Sequence, residues 1–333
     1  MTHRTVRPNF DYYLGGELYS ALNRGKYPMK IADEIRKCVG FVGHEDNHCK
    51  QHIGGTCFFV SSDPFWHIGV DYYPIWCVTA RHVIEKILLA RKDIADDRPE
   101  KNTMLLRLNR TPGGVDDFRV ETTDWRYHDD PSVDVAVMPF VLDMSKHDHR
   151  AYPLSKCLTP KLIEDDNIGI GSDLFFVGLF NQHKKTSRNV PILRCGNIAA
   201  MPDEPVKTGV DFANVYLVES RSIGGLSGSP VFTYNEPWIA ELDGKRKFIS
   251  SPTRNSLMGL IHGHFDEDRA EPEYGAKTTD SDERRLDEVN TGIAMVTPVS
   301  AIQDVIASPR CQAHLRSVES QIRSDNPGGP VMD

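Results

Sequence analysis

Ser220-Arg221-Ser222-Ile223-Gly224-Gly225-Leu226-Ser227-Gly228-Ser229-Pro230-Val231-Phe232 is the stretch whose reading decides the fold. A polar, glycine-rich turn runs here straight into a short β-type segment. Gly224, Gly225 and Gly228 permit turns and close backbone approaches that side chains block. Ser227, between Gly225 and Gly228, is read as an exposed hydroxyl with backbone N–H groups beside it. A nucleophilic serine needs both: an oxygen to attack a carbonyl, and donors to hold the oxyanion that forms. The plainer reading is a hairpin loop, so the serine reading calls for a base and a group that orients it.

Two upstream stretches supply candidates. Trp76-Cys77-Val78-Thr79-Ala80-Arg81-His82-Val83 is an apolar strand that ends at a histidine and enters a short helix. Ser132-Val133-Asp134-Val135-Ala136-Val137-Met138 is a polar turn whose aspartate opens an apolar strand. Each has a plain alternative, a helix-start histidine and a turn-ending aspartate. Their chain order, His82 then Asp134 then Ser227, is what gives the set its meaning.

Thr79-Ala80-Arg81-His82, Asp134-Val135-Ala136-Val137 and Gly225-Leu226-Ser227-Gly228-Ser229-Pro230 resemble the three triad blocks of the chymotrypsin/trypsin-like serine peptidases. The likeness is to the non-secreted and bacterial branches, and by block order it spans residues 36 to 308. It implies an all-β fold of two packed antiparallel six-stranded barrels with the active site between them, and a short C-terminal helix. It implies a serine endopeptidase with His82, Asp134 and Ser227 as catalytic residues. The N–H groups of Gly225 and Ser227 would form the oxyanion hole, and no metal or organic cofactor is needed. The digestive enzymes carry an aspartate directly before the nucleophile, which pairs with a freed N-terminus. Here Leu226 stands there, so no such cleavage is expected to be required.

The strand pattern agrees. Residues 1–35 read as an N-terminal extension, with short helical turns over Leu18–Leu22 and Ile31–Ile35. Residues 36–145 form a first β series, with strands at Val39–Val42, Gly55–Val60, Tyr73–Val78, Met104–Leu108 and Val133–Phe140 and a helix over His82–Arg91. A connector near 143–162 leads to a second series over 146–308. Its strands fall at Asp173–Leu179, Ile192–Ala200, Val215–Val218, Ser229–Thr233, Leu257–His264 and Gly292–Val296, and a helix follows at Ser300–Ile306. Residues 309–333 read as a loose polar tail.

The 333 residues are 39% hydrophobic and 26% charged, an ordinary globular balance. A net charge of −8 argues against a nucleic-acid or anionic-membrane binder, whose footprint is basic. No run approaches the ~18 apolar residues of a membrane span. Residues 1–20 hold no apolar run of signal-peptide type, so the expected compartment is cytosolic. The seven cysteines are odd in number and scattered, which does not read as a disulfide framework. Cys57 and Cys77 read as buried thiols on adjacent strands, and Cys195 as a small core residue. Residues 266–290 hold ten acidic against four basic side chains. They read as a solvated loop, with a flap or a docking site for a regulatory partner as the functional alternative. His147-Asp148-His149 and Lys184-Lys185 read as surface.

The expected substrate is a protein or peptide. By the family analogy its specificity pocket lies near Arg221, Ser222 and Ile223 and the strand bearing His262, Gly263 and His264. Val296 and Gly292-Ile293 would form the far wall. Arg221, His262 and His264 suit an acidic side chain. The plainer reading has Arg221 in solvent and His262 supporting Asp134. Three rival functions stand beside the peptidase. His44-Glu45-Asp46-Asn47-His48 matches the zinc-peptidase pattern, which works only on a helix, whereas Gly40, Gly43 and Gly54-Gly55 around it favour a turn. An α/β-hydrolase elbow lacks its second glycine at Ser229, and the triad order differs. A catalytically silent binding or sensor module on the same fold is the third.

Overall fold

The computed structural model describes residues 31, 33–46, 48, 50–92, 101–141, 143–178, 188–208, 211–220, 226–234, 238–242, 245–249, 255–267 and 289–325. After a single helical turn α1 (Asp33–Arg36) the chain enters β1 (Val39–Glu45) and β2 (Gln51–Ser61), a small hairpin of β3 (Phe65–His67) and β4 (Val70–Tyr72), and β5 (Ile75–Thr79). Helix α2 (Arg81–Ala90) follows, buried through Val83, Ile84 and Ile87. Then come β6 (Thr103–Asn109), β7 (Val115–Glu121), β8 (Arg126–Tyr127), β9 (Ala136–Pro139) and β10 (Tyr152–Pro153). These strands hydrogen-bond in the order β7-β6-β1-β2-β5-β9-β8, with β10 beside β2.

The edge strands β7 and β8 are consecutive in the chain and separated only by residues 122–125, so the sheet curls back on itself. It does not close as the six-stranded barrel that the sequence suggests. Between β7 and β8 the chain turns as a 3-10 segment, Thr122–Asp124, and the Thr122 N–H goes back to Asn102 O at 2.8 Å.

Helix α3 (Pro160–Asp165) leads to the second unit: β11 (Asp173–Gly178), β12 (Ile192–Ala200), β13 (Val206–Lys207), β14 (Phe212–Ala213), β15 (Tyr216–Glu219), β16 (Pro230–Tyr234), β17 (Trp238–Leu242), β18 (Lys245–Ile249), β19 (Asn255–Glu267) and β20 (Val289–Pro298). Six of them close a barrel, β11-β12-β15-β20-β19-β16, while β13-β14 and β17-β18 form separate hairpins. The acidic segment joins β19 to β20, and its residues 268–288 lie outside the described residues, as do Leu18–Leu22 and Lys184-Lys185. The chain ends in α4 (Val299–Ala307) and α5 (Pro309–Asp325). The fold is thus all-β with two packed units, as expected apart from the open first sheet.

The two units share one core. Phe175, Phe232 and Leu260 of the barrel lie in the same buried cluster as Phe58, Val78 and Trp76 of the first sheet. Ile302 and Val305 of α4 join it. A second cluster, with Leu174, Phe176, Val218 and Val296, fills the barrel. Val296 is therefore interior and not a pocket wall.

Other expectations need correction. Residues 309–325 are helical, where a loose tail was expected, because Cys311 and Leu315 pack on the shared core. The connector is not a spacer between the units: Tyr152–Pro153 pairs with β2 of the first sheet. His147 and His149 are buried, since each has a specific partner. His147 Nε2 lies 3.0 Å from Asp116 Oδ2, and His149 Nε2 accepts from the Asn109 N–H at 2.7 Å. Cys195 is exposed on β12, not in the core. Cys57 and Cys77 are both buried and unbridged, and burial pushes the Cys77 thiol well above its ordinary range.

Among the described residues no helix is long and apolar enough to cross a membrane.

Candidate active site

Strand β5 and helix α2 set the histidine. The β-strand pattern of Ile75–Thr79 ends at Ala80, whose extended backbone (φ −74°, ψ 139°) starts the helix without a side-chain cap. The missing cap comes from another segment. Asp134 Oδ1 accepts the His82 backbone N–H at 2.8 Å, and its Oδ2 faces His82 Nδ1 at 2.6 Å. A carboxylate can only accept, so Nδ1 carries the proton and Nε2 is left as the basic nitrogen. Asp134 thereby satisfies an orphan donor of α2, fixes the ring's tautomer and fixes its orientation.

The turn before Asp134 is built by another aspartate. Asp130 Oδ1 accepts from the Ser132 N–H at 2.9 Å and from its hydroxyl at 2.7 Å, closing an Asx-type turn that delivers Asp134 to the helix. The Asp134 side chain is 1% exposed and that of His82 is 17% exposed. Burial pushes the Asp134 carboxyl up. The hydrogen bond and charge of His82, with help from His262, outweigh it, and the net pKa lies below the ordinary carboxylate value.

Ser227 comes from the second unit. Ser229 N donates to Leu226 O at 2.9 Å, so Ser227 and Gly228 are the two central residues of a tight turn. Gly228 has φ +82°, which the third position of a type II turn demands. It also sits where no side chain fits: a Cβ there would lie 2.2 Å from Thr56 O and 2.5 Å from Thr79 Oγ1. Two further bonds pin the turn at the seam between the units. Thr56 N donates to Ser227 O at 3.1 Å, and Gly228 N donates to Ile261 O at 2.9 Å. Ser227 therefore abuts the end of the strand that delivers His82. No hydrogen bond joins Ser227 Oγ to His82 among the described residues. Such contacts are often long without substrate and tighten in the complex.

His262 joins the group from β19. Its side chain is 6% exposed, its Nδ1 lies 3.7 Å from Asp134 Oδ2, and its ring stacks on that of His82 at 6.0 Å between centroids. Burial, together with the charge of His82, lowers its pKa against the pull of Asp134 and so disfavours its charged form. Gly263 is half-buried beside it. Arg221, Ser222, Ile223 and Gly225 lie outside the described residues, as does the side chain of His264. The structure thus brings His82, Asp134 and His262 together, with Ser227 across the seam.

The remaining histidine cluster is of another kind. His44 and Glu45 end β1, and Asp46 Oδ1 accepts from the His48 and Lys50 N–H groups at 2.8 and 3.0 Å. This is a hairpin turn, not a helix, so the two histidines of the zinc-peptidase pattern do not share a helical face. Glu45 is paired with Arg119 at 2.6 Å. The residues missed by sequence reasoning are Thr56 and Thr79, which brace the serine turn. Thr79 Oγ1 donates to Thr56 O at 2.7 Å. Only Thr79 had a signal, its place in the histidine block.

No family model matches the chain, and no curated protein matches it. Among solved structures it is similar to the crystal structure of the MamO protease domain from Magnetospirillum magneticum, in its apo form. The identity is 13%, the match covers 81% of this chain and 96% of that one, and the TM-score is 0.45.

Proposed function

We propose that the chain is a serine endopeptidase acting through His82, Asp134 and Ser227. The observation that carries this reading is the Asp134 carboxylate. It is buried, ionised and bonded to both the backbone and the ring of His82, whose free nitrogen belongs to the same seam as the Ser227 turn. Ser227 Oγ attacks the scissile carbonyl while His82 Nε2 takes its proton. The amide bond breaks, the proton passes to the leaving amine, and water then cleaves the acyl-enzyme ester by the same steps in reverse. The Ser227 N–H and that of Gly225 serve as oxyanion donors, each worth about 10²–10³ in rate. The reaction needs no metal or organic cofactor.

A silent, peptidase-like binding module is the second reading. It is favoured by one observation, the absent hydrogen bond between Ser227 Oγ and His82. The two separate on a mixture of unstructured peptides digested by the purified chain with and without chelator. A peptidase cleaves under both conditions, and Ser227→Ala does not. A binding module cleaves in neither form.

A further inference from the structure

We propose that the β1–β2 hairpin carries a binding site for a divalent transition-metal ion, with His44 and His52 as its ligands and Asp46 orienting the second of them. The inference goes beyond the peptidase reading and does not rest on it. It also differs from the zinc-peptidase pattern, which calls on Glu45 and His48. Three observations carry it. First, the register sets the two histidines directly opposite each other, His44 on β1 against His52 on β2. Opposed residues of an antiparallel pair hold their Cβ atoms about 5 Å apart. Second, the rings face one another, with 5.2 Å between centroids and 20° between planes. Third, His52 Nε2 lies 2.8 Å from Asp46 Oδ2. A carboxylate can only accept, so Nε2 carries the proton and the neutral ring keeps a lone pair on Nδ1.

Imidazole nitrogen suits zinc, copper and nickel. An ion bound by two such rings has each nitrogen about 2 Å away, which sets the ring centroids roughly 5 Å apart at a tetrahedral angle. The pair already stands at that separation. What remains is a turn of one ring about its Cβ–Cγ bond. It falls to His44, whose ring no hydrogen bond holds among the described residues. Asp46 stays on His52 as the carboxylate behind a ligating histidine, which fixes the tautomer and raises the basicity of the ligand. Asp46 is itself held in place, because its Oδ1 accepts the His48 and Lys50 N–H groups. The neighbouring carboxylate, Glu45, is engaged by Arg119. Among the described residues no group of three such side chains is placed to hold an ion, so water completes the shell. The charge of Arg91 also acts on His44 and opposes a cation. The site is therefore a weak, two-nitrogen one that selects by ligand type. It takes Ni²⁺, Cu²⁺ and Zn²⁺ and leaves Mg²⁺ and Ca²⁺, which prefer oxygen.

The test is a calorimetric titration of the untagged full chain with Ni²⁺ alone at neutral pH, with Mg²⁺ as the comparison. The wild type is expected to bind Ni²⁺ and to give no signal with Mg²⁺. The Ni²⁺ affinity should fall at least about 10-fold in His44→Ala and in His52→Ala, since losing even an orienting partner costs that much. It should fall about 10-fold in Asp46→Asn, which keeps an acceptor for the turn and loses the carboxylate. A wild type that takes up no Ni²⁺, or one whose affinity is unchanged in both histidine variants, overturns the proposal. Unchanged affinity in Asp46→Asn overturns the role given to Asp46. If a variant does not fold, the wild type decides by NMR. Paramagnetic Ni²⁺ should broaden the His44 and His52 ring resonances before those of the other histidines, and broadening that begins elsewhere overturns the site. None of these readouts calls on activity, so an inert wild type would overturn the peptidase reading and leave this one standing.

Discussion

Gly228 is bound by two demands at once, of conformation and of space. Its left-handed backbone and the 2.2 Å approach of Thr56 O to the place of a Cβ leave no room for alanine. Gly228→Ala is expected to cost at least ~2 kcal/mol in urea unfolding and to displace Ser227 from the seam. Unchanged stability would mean that the turn is not held as described. His149 makes a prediction of another kind. Its Nε2 accepts the Asn109 N–H, a bond that the protonated ring cannot accept, and burial lowers its pKa from 6.5 to about 4. The unfolded chain therefore takes up this proton at a higher pH than the native chain. The contribution is fully present above pH 6.5 and is lost as the pH falls from there through about 4, a loss on the order of 2–3 kcal/mol. Unfolding free energies at pH 7 and pH 4.5 should show this fall, and His149→Gln, which keeps an acceptor, should reduce it. Equal falls in the two proteins would contradict it. At this scale His82, Asp134 and Ser227 were legible because each needs a particular local context, a strand end, a turn or a glycine pair. The support of Asp134 by His262 was one of the readings the sequence offered, but the irregularity of β19 that aims the ring was not, since no residue type announces it.

The elements divide in the same way. Ile192–Ala200 reads as a strand and is one, because its apolar pattern stands between clear breaks. Val115–Glu121 was missed: it is an outer strand whose burial alternates only between half-buried and exposed, and Asp116 and Asp117 mask its period. Helix α5 was missed for a related reason. Cys311 is its single fully buried residue, so Pro309–Asp325 shows no broad apolar stripe, yet Leu315 also packs on the core and Arg323 reaches Trp66 O at 3.3 Å. Truncation after Ser308 is expected to lower stability by ~2–4 kcal/mol, the worth of one or two buried side chains. An unchanged unfolding midpoint would return this segment to the status of a loose tail.

For the whole molecule, what matters is that the two β units are not independent. Phe232 and Leu260 of the barrel share a cluster with Phe58 and Trp76 of the first sheet, and the serine turn is bonded across the same seam. The two series were legible as strands separated by a connector. Their common core was not, since it depends on contacts between residues more than a hundred positions apart. Calorimetry should therefore show one cooperative transition for the full chain, and two separated transitions would contradict a shared core. The seam is also where the proposed chemistry sits, with His82 and Asp134 on one side and Ser227 on the other. Leu226, buried directly before Ser227, offers no charge for a freed N-terminus, so the uncut chain is expected to be competent. The most direct test is to treat the uncut 333-residue chain with a fluorophosphonate probe and map the modified residue by mass spectrometry. The account predicts modification at Ser227, abolished in Ser227→Ala and unaffected by chelator. A folded wild type that takes up no probe would contradict it, and the binding-module reading would then stand.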